Sequence, residues 1–476
     1  MSNLLLKNVR PYGEAPVDIL IENGVITEIS PVSSFCGKGA ERPQNAESRS
    51  ESSEQSSELD AATSRSMTGL ENATVIDGHG QILLPGLVDL HTHLREPGFE
   101  DAETVASGSQ AAAKGGYTAV FAMANTHPVA DTAGVVEQVW RLGQEAGLVD
   151  VHPIGAVTVG LEGKQLAELG AMADSRAQVK VFSDDGKCVA DPVVMRRALE
   201  YVKAFDGVIA QHAQEPSLTR DAQMNEGIVS AQLGLAGWPA VAEESIIARD
   251  VLLTEHVGSR LHVLHVSTRG SVEIIRWAKQ RGINVTAEVT PHHLALTDEL
   301  ARSYDPVFKV NPPLRTFDDV AAVRDGLADG TIDTVGTDHA PHPLEAKDCE
   351  WAAASFGMTG LETALAVVAQ AMMQNYAASQ TAAGQTIVHQ SGFLDWRGIA
   401  RVMSEVPAQI GGIGHEQGRP IAVGEPANLT LVNPDAPYTV DPRTQATASA
   451  NTPFKGRELP LQITATIMRG TPTYLN

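Results

Sequence analysis

The sequence predicts an α/β protein: a TIM-like (β/α)8 barrel with a small composite β-sandwich formed by both chain ends. Three observations carry this expectation. Short apolar strands alternate with longer helical stretches through the middle of the chain. Both ends show β alternation instead. Residues of metal-ligand type recur at the ends of the middle strands. The composition agrees. A chain of 476 residues suits a large barrel plus a smaller module. With 43% hydrophobic and 20% charged residues it can bury a large core, which argues against global disorder. A formal charge of −23 makes general binding to nucleic acid or to an anionic membrane unfavourable. The sequence lacks the long apolar run of a transmembrane span, and its first residues lack the pattern of a signal peptide. Three scattered cysteines, Cys36, Cys188 and Cys349, argue for a reducing compartment. The expected location is the cytoplasm.

From the N-terminus, Val17–Glu22 and Val25–Ile29 read as strands joined by Asn23-Gly24, a strong hairpin signal. Residues 33–71 are rich in Ser, Glu, Gln and Ala and read as a flexible insertion. Strand-like text resumes at Val75 and Gln81. Eight candidate strands follow, near 87–93, 117–122, 151–158, 179–183, 207–212, 261–266, 284–290 and 333–338. Helical segments lie between them, near 101–114, 131–146, 191–205, 242–256 and 269–281. Asp191-Pro192 and Thr268 are helix starts by their capping chemistry. Eight βα units in about 250 residues is the arithmetic of a barrel. A doubly wound open sheet is the alternative that periodicity alone leaves open. Helical stretches near 360–375 and 397–411 flank a polar, loop-like region at 376–392. Strand patterns return at Ala427–Val432 and Leu461–Ile467. The expected division is 1–85 and 412–476 as the two parts of the sandwich, with the barrel at 86–411.

Reactive groups of such a barrel sit at the carboxyl ends of its strands. Here those ends offer His91 and His93, Asn125, Asp184 and Asp185, His212, His265, and Asp338. In His91-Thr92-His93 the two imidazoles are two residues apart and share a strand face. Val88, Leu90, Thr92 and Leu94 are then expected on the opposite face, against helices. Imidazoles with carboxylates suit zinc, with coordination positions left for water. Each group alone has a plainer reading. His212 and His265 could be satisfied core histidines. Asp184-Asp185-Gly186 reads as a turn. Asp338 could pair with His339, and Arg95 with Glu96. The joint occurrence at strand ends favours a metal site.

At HTHLREPG (91–98) the chain resembles the dihydroorotases of the amidohydrolase superfamily, in their longer bacterial form. The resemblance also rests on GGYTAVFAMANTHP (115–128), VFSDDG (181–186), QHAQEPSL (211–218), LHVSTRGS (264–271), VTAEVTPHHL (285–294), KVNPPLR (309–315), GTDHAPH (336–342) and FGMTGLET (356–363). It spans nearly the whole chain outside 33–71. It implies a metal-dependent hydrolase barrel holding one or two zinc ions. It implies His91 and His93 on the first zinc, Asp185 as a bridge, and His212 and His265 on the second. Asp338 would approach the first zinc and act as catalytic acid and base. Arg95, Asn125 and His342 would clamp the substrate carboxylate. Asn311 and the backbone at Phe356-Gly357 would contact a pyrimidine ring. The implied reaction is the reversible interconversion of N-carbamoyl-L-aspartate and L-dihydroorotate in pyrimidine (UMP) biosynthesis. Ala124, His127 and Asn428 stand where relatives more often carry Pro, Arg and Asp.

Some relatives bridge their metals with a carboxylated lysine on the fourth strand. Lys180 lies there, but Lys180 and Asp185 have opposite parity along a regular strand, and the DDG text favours Asp185. Hydantoinases and allantoinases are rival enzymes; REPG, FSDDG and NPPLR lean against them. A non-catalytic scaffold for aspartate transcarbamoylase is a rival of another class, opposed by the complete set of ligand-type residues. A homodimer, or association with that transcarbamoylase, stays compatible with activity. The stretch 342–358, between two substrate-contact motifs, is a candidate lid.

Overall fold

The computed structural model describes residues 3–32, 73–374, 381–382, 385–386 and 392–476. The expected 33–71 insertion lies outside the described residues, as does most of the 376–392 region. All eight expected barrel strands form: Leu87–Thr92, Tyr117–Ala122, Asp150–Pro153, Val181–Phe182, Val208–Gln211, Leu261–Val263, Val285–Val289 and Thr334–Val335. Several are shorter than the sequence suggests, because their last residues leave the ladder to build the site.

Every neighbouring pair is parallel. Strands one to three and four to eight form two arcs. Parallel bridges Gly155–Phe182 and Thr92–His339 join the arcs into a ring. The second closure includes the bond from His93 N–H to the His339 carbonyl, 2.8 Å. Ring closure excludes the open doubly wound sheet.

Outer helices include Val105–Lys114, Ala133–Ala146, Pro192–Val202, Val241–Val257, Arg269–Gln280 and Phe317–Asp329. Their starts follow from side-chain chemistry. Asp191 accepts from the N–H groups of Val193 and Val194, and Thr268 accepts from Ser271 N–H. The first helix starts at Val105, later than the sequence suggested, because Thr104 caps it. The 397–411 stretch is helical with a π-turn at Arg401–Glu405.

The expected facing of Val88 and Leu90 needs correction. They pack with Phe121, Ile154, Val181, Val208, Ala210 and Leu264, a set that only the barrel interior can bring together. Between Asp89 and Thr92 the first strand advances three residues while its partner advances two. This bulge reverses the alternation. Val88 and Leu90 therefore fill the lower interior, while His91 and His93 face inward above them. Leu94 lies on the helix side, as expected. Ala408, Ile410 and Ile413 plug the bottom of the same interior cluster.

The two chain ends meet in one eight-stranded sheet. Ile82–Pro85 from the N-terminal side pairs antiparallel with Leu429–Asn433 from the C-terminal side. Asn23 and Gly24 make the expected hairpin turn, both with positive φ. Rather than two separate sheets, the strands form a curled sheet whose edge returns on itself through a Val25–Pro426 bridge. Leu4, Leu6, Ile19, Ile21, Leu429 and Ile467 fill its core. Asn428 has a structural reason: its amide oxygen accepts from Arg469 N–H while its nitrogen donates to the Glu416 carbonyl, and a carboxylate has no donor for the second bond. Among the described residues no helix is long and apolar enough to cross a membrane.

Helix–strand packing gives a direct check. A Cβ on Gly143 would sit 2.4 Å from the Val151 side chain, whereas Gly134 on the same helix has open space. We expect Gly143→Val to cost about 1–3 kcal/mol by overpacking. Gly134→Ala should be neutral or stabilising by up to about 1 kcal/mol. Urea denaturation of both variants measures the contrast.

Candidate active site

The strand ends converge on one carboxylate. Asp185 Oδ1 lies 3.1 Å from His212 Nδ1 and 3.2 Å from His265 Nε2. Its Oδ2 lies 3.3 Å from His93 Nε2 and 3.5 Å from His91 Nε2. Two potential metal-holding groups result, His91–His93–Asp185 and Asp185–His212–His265, all buried and sharing Asp185. Asp338 Oδ1 stands beside the first, 3.1 Å from His93 Nε2 and 3.5 Å from His91 Nε2.

Local backbone explains the convergence. Val181 faces the barrel interior and Asp185 has the same parity. Phe182 packs outward with the helices, and Asp184 shares its parity. Accordingly, Asp184 accepts from the N–H groups of Val157 and Thr158 and from the Thr158 hydroxyl, away from the histidines. Lys180 donates to the Phe205 carbonyl at 2.7 Å, also away from the histidines. His265 and Asp338 follow the ends of regular strands and have φ of 34° and 47°. These left-handed conformations strain a non-glycine residue and turn both side chains into the cluster.

The donor set fits a divalent metal. His91 Nε2 is buried without a hydrogen-bond partner. His212 Nδ1 and His265 Nε2 face each other at 2.9 Å, both also directed at Asp185. Nitrogen and carboxylate donors in such an array suit a metal of zinc's class. The charges are mutually compensating. Burial would lower His91, but Glu288, Asp185 and Asp338 raise it well above its ordinary value. Burial would raise Asp185, but His91, His212 and His265 hold it well below the carboxylate range.

Three supporting residues escaped the sequence reading. Glu288 Oε1 accepts from His91 Nδ1 at 2.5 Å, and its other oxygen lies 3.4 Å from His262 Nε2. Burial opposes its charge, yet His91 and His262 hold it down at about 2. A clue was available: Glu288 alternates with Val285, Ala287 and Val289, which face the helices. Asp89 accepts from the backbone of His91 and of Thr337, tying the first strand end to the eighth. Gln214 Oε1 lies 2.7 Å from His212 Nε2 and 3.2 Å from Asn311 Nδ2.

Above the cluster lies a cavity of about 230 Å³. Its walls include Arg95, Asn125, Asn311, His342, Phe356 and Gly357, with His93, Asp185, His212 and Asp338 at its base. Every residue anticipated for substrate contact is thus brought to one place. Asn125 also has a further contact, its Oδ1 2.9 Å from His93 Nδ1. Arg95 donates to the Pro341 carbonyl at 3.1 Å and its Nη2 lies 3.5 Å from His342 Nε2. Burial lowers Arg95 to about 10, so it stays cationic at neutral pH. Burial, then the nearby Arg95 charge, lowers His342 to about 3 and keeps it neutral.

The two adjacent aspartates separate site chemistry from loop support. We expect Asp185→Asn to lose most bound metal, as measured per chain by elemental analysis. Asp184→Asn should keep it while losing about 1–3 kcal/mol of stability from its buried hydrogen bonds.

Comparison with known proteins agrees with this geometry. A family model described as Dihydro-orotase-like matches residues 80–271. A dihydroorotase of Streptomyces coelicolor is 68% identical over 409 residues, covering 85% of this chain and 91% of that protein. A dihydroorotase of Mycobacterium tuberculosis is 52% identical over 472 residues, covering 99% and 98%. In fold, the chain is similar to the L-hydantoinase (dihydropyrimidinase) of Arthrobacter aurescens, with a TM-score of 0.78 at 24% identity, covering 99% of this chain and 96% of that one. Identity of this extent over nearly the full length, with the ligand-type residues gathered at the barrel mouth, places the chain in the dihydroorotase family.

Proposed function

We propose that the chain is a zinc-dependent dihydroorotase acting in the cytoplasm. It interconverts N-carbamoyl-L-aspartate with L-dihydroorotate plus water, as a step of pyrimidine biosynthesis. The observation that carries this reading is the cavity itself: one face is a shared carboxylate–imidazole cluster, and the other presents the half-buried Arg95. His91, His93 and Asp185 would hold one ion; Asp185, His212 and His265 would hold a second. Bound there, such a metal supplies a Lewis acid that polarises the ring carbonyl and lets water ionise near neutral pH. The 1–85, 86–411 and 412–476 division is part of the same reading. The barrel carries the chemistry, and the two terminal parts brace it.

The chain's own groups perform the remaining work. Burial would raise the Asp338 carboxyl, but His91 and His93 hold it far below its ordinary range. It is therefore a carboxylate at neutral pH, placed to take a proton from the attacking water and return it to the departing ring nitrogen. Ring closure runs the same transfers in reverse. Arg95 can give a substrate carboxylate two parallel N–H bonds, which a lysine cannot. That local charge matters because the protein as a whole carries −23 and repels an anionic substrate. The Asn125 amide nitrogen stays available beside it, since its oxygen faces His93. Asn311 and the Phe356–Gly357 backbone form the wall for the substrate ring.

Metal content and ultraviolet-monitored hydrolysis of L-dihydroorotate, measured on one sample, test the reading. We expect zinc, with turnover lost on chelation and restored by zinc. Zinc without turnover on this substrate would redirect the assignment to another cyclic amide. Asp338→Asn should retain most metal and lose about 100-fold or more in kcat; near-wild-type turnover would remove Asp338 from its role. Arg95→Lys should raise KM by about tenfold to a hundredfold, with metal content unchanged.

A further inference from the structure

We infer that Lys309 and Lys347 act together as a clamp that fixes segment 343–357 and thereby positions Phe356 and Gly357 against the substrate. The inference rests on the dihydroorotase reading and adds two positioning residues to it.

Both lysines are buried, at 2% and 8% exposure, and neither has a carboxylate partner among the described residues. Lysine is almost never buried unless paired, because desolvating an ammonium is costly. Here each ammonium directs its three donors at backbone carbonyls. Lys309 Nζ donates to the carbonyls of Trp351, Ala352 and Ala354 at 2.8, 3.1 and 2.8 Å. Lys347 Nζ donates to those of Lys309, Ser355 and Gly357 at 3.2, 2.8 and 3.0 Å. An ammonium has three N–H donors and no acceptor, so each is fully used.

The consequence is geometric. A loop usually satisfies its carbonyls with water on the surface. In 351–357 the carbonyls of Trp351, Ala352, Ala354, Ser355 and Gly357 instead turn inward to the two ammonium groups. This curls the segment around the lysines and leaves Phe356 and Gly357 lining the cavity. Gly357 N–H closes the arrangement on the Lys309 carbonyl at 3.0 Å, and the Phe356 ring centroid lies 4.5 Å from Lys309 Nζ. Lys309 also stands two residues before Asn311, so one element fixes two walls of the cavity. The candidate lid is held here as a wall.

The test uses the full-length enzyme, with Lys309→Met and Lys347→Met, which keep an unbranched side chain one heavy atom shorter and remove the donors. Steady-state kcat and KM, metal per chain, and chymotrypsin cleavage after Trp351 and Phe356 are measured together. We expect KM to rise by about tenfold with kcat within about threefold of wild type. Metal content should be unchanged, and both sites should become cleavable under native conditions. Unchanged KM with both sites still protected would overturn the clamp. So would a joint fall in kcat and metal content, which would mark general damage to the fold. If a methionine variant fails to fold, Lys347→Arg keeps the charge but replaces rotatable donors with a planar fork. The same KM-only rise is expected, and a wild-type KM would refute the proposal. Cleavage is read without substrate, so absence of L-dihydroorotate turnover in the wild type would overturn the functional reading separately.

Discussion

The Asp185 carboxylate is the point on which the molecule turns. Four imidazoles from three other strands lie within 3.5 Å of its two oxygens, buried at the base of the cavity. An isolated carboxylate in that place would be prohibitively costly, and so would the imidazoles if charged alone. Gathered together they compensate one another, and the same gathering makes a site for a cation. The barrel closure, the bulge in the first strand and the strained backbone at His265 and Asp338 all serve to bring these side chains to one depth.

A second layer fixes how the imidazoles point. Glu288 takes His91 Nδ1, Asn125 takes His93 Nδ1 and Gln214 takes His212 Nε2, so in each ring the other nitrogen faces the cluster. Such outer contacts set ring orientation and tautomer, and with them ligand basicity. Asn125 and Gln214 belong to two environments at once. Asn125 also lines the cavity, and Gln214 also holds Asn311. Cavity-lining residues and the clustered histidines are therefore linked directly through side-chain hydrogen bonds. The terminal sheet contributes from outside: Thr430 and Thr466 donate to the carbonyls of Gly116 and Ala113, and Arg469 pairs with Asp150.

Much of this was legible in the chain. Helix starts at Asp191 and Thr268, the Asn23-Gly24 hairpin and the eight strands are local in origin, since capping, turn preference and apolar runs act within a few residues. That Lys180 and Asp185 could not both face inward was readable from strand parity for the same reason; the structure turns Asp185 toward the histidines and Lys180 toward the Phe205 carbonyl. The facing of Val88 and Leu90 was not readable, because a bulge is decided by how two distant strands pair. Glu288 was overlooked although its alternation was visible. Its partner His91 lies 197 residues away, and nothing local shows what a buried glutamate will meet.

The sequence by itself determined the elements, the family resemblance and the residue types at the strand ends, because short-range chemistry and motif spacing specify these. Only the tertiary structure decided which nitrogen of each histidine faces the cluster and which aspartate turns outward to cap a loop. It also decided that two buried lysines bond the carbonyls of the segment that walls the cavity. These outcomes depend on contacts between residues far apart in the chain, where the cost of leaving a buried charge or carbonyl unpaired selects the partner.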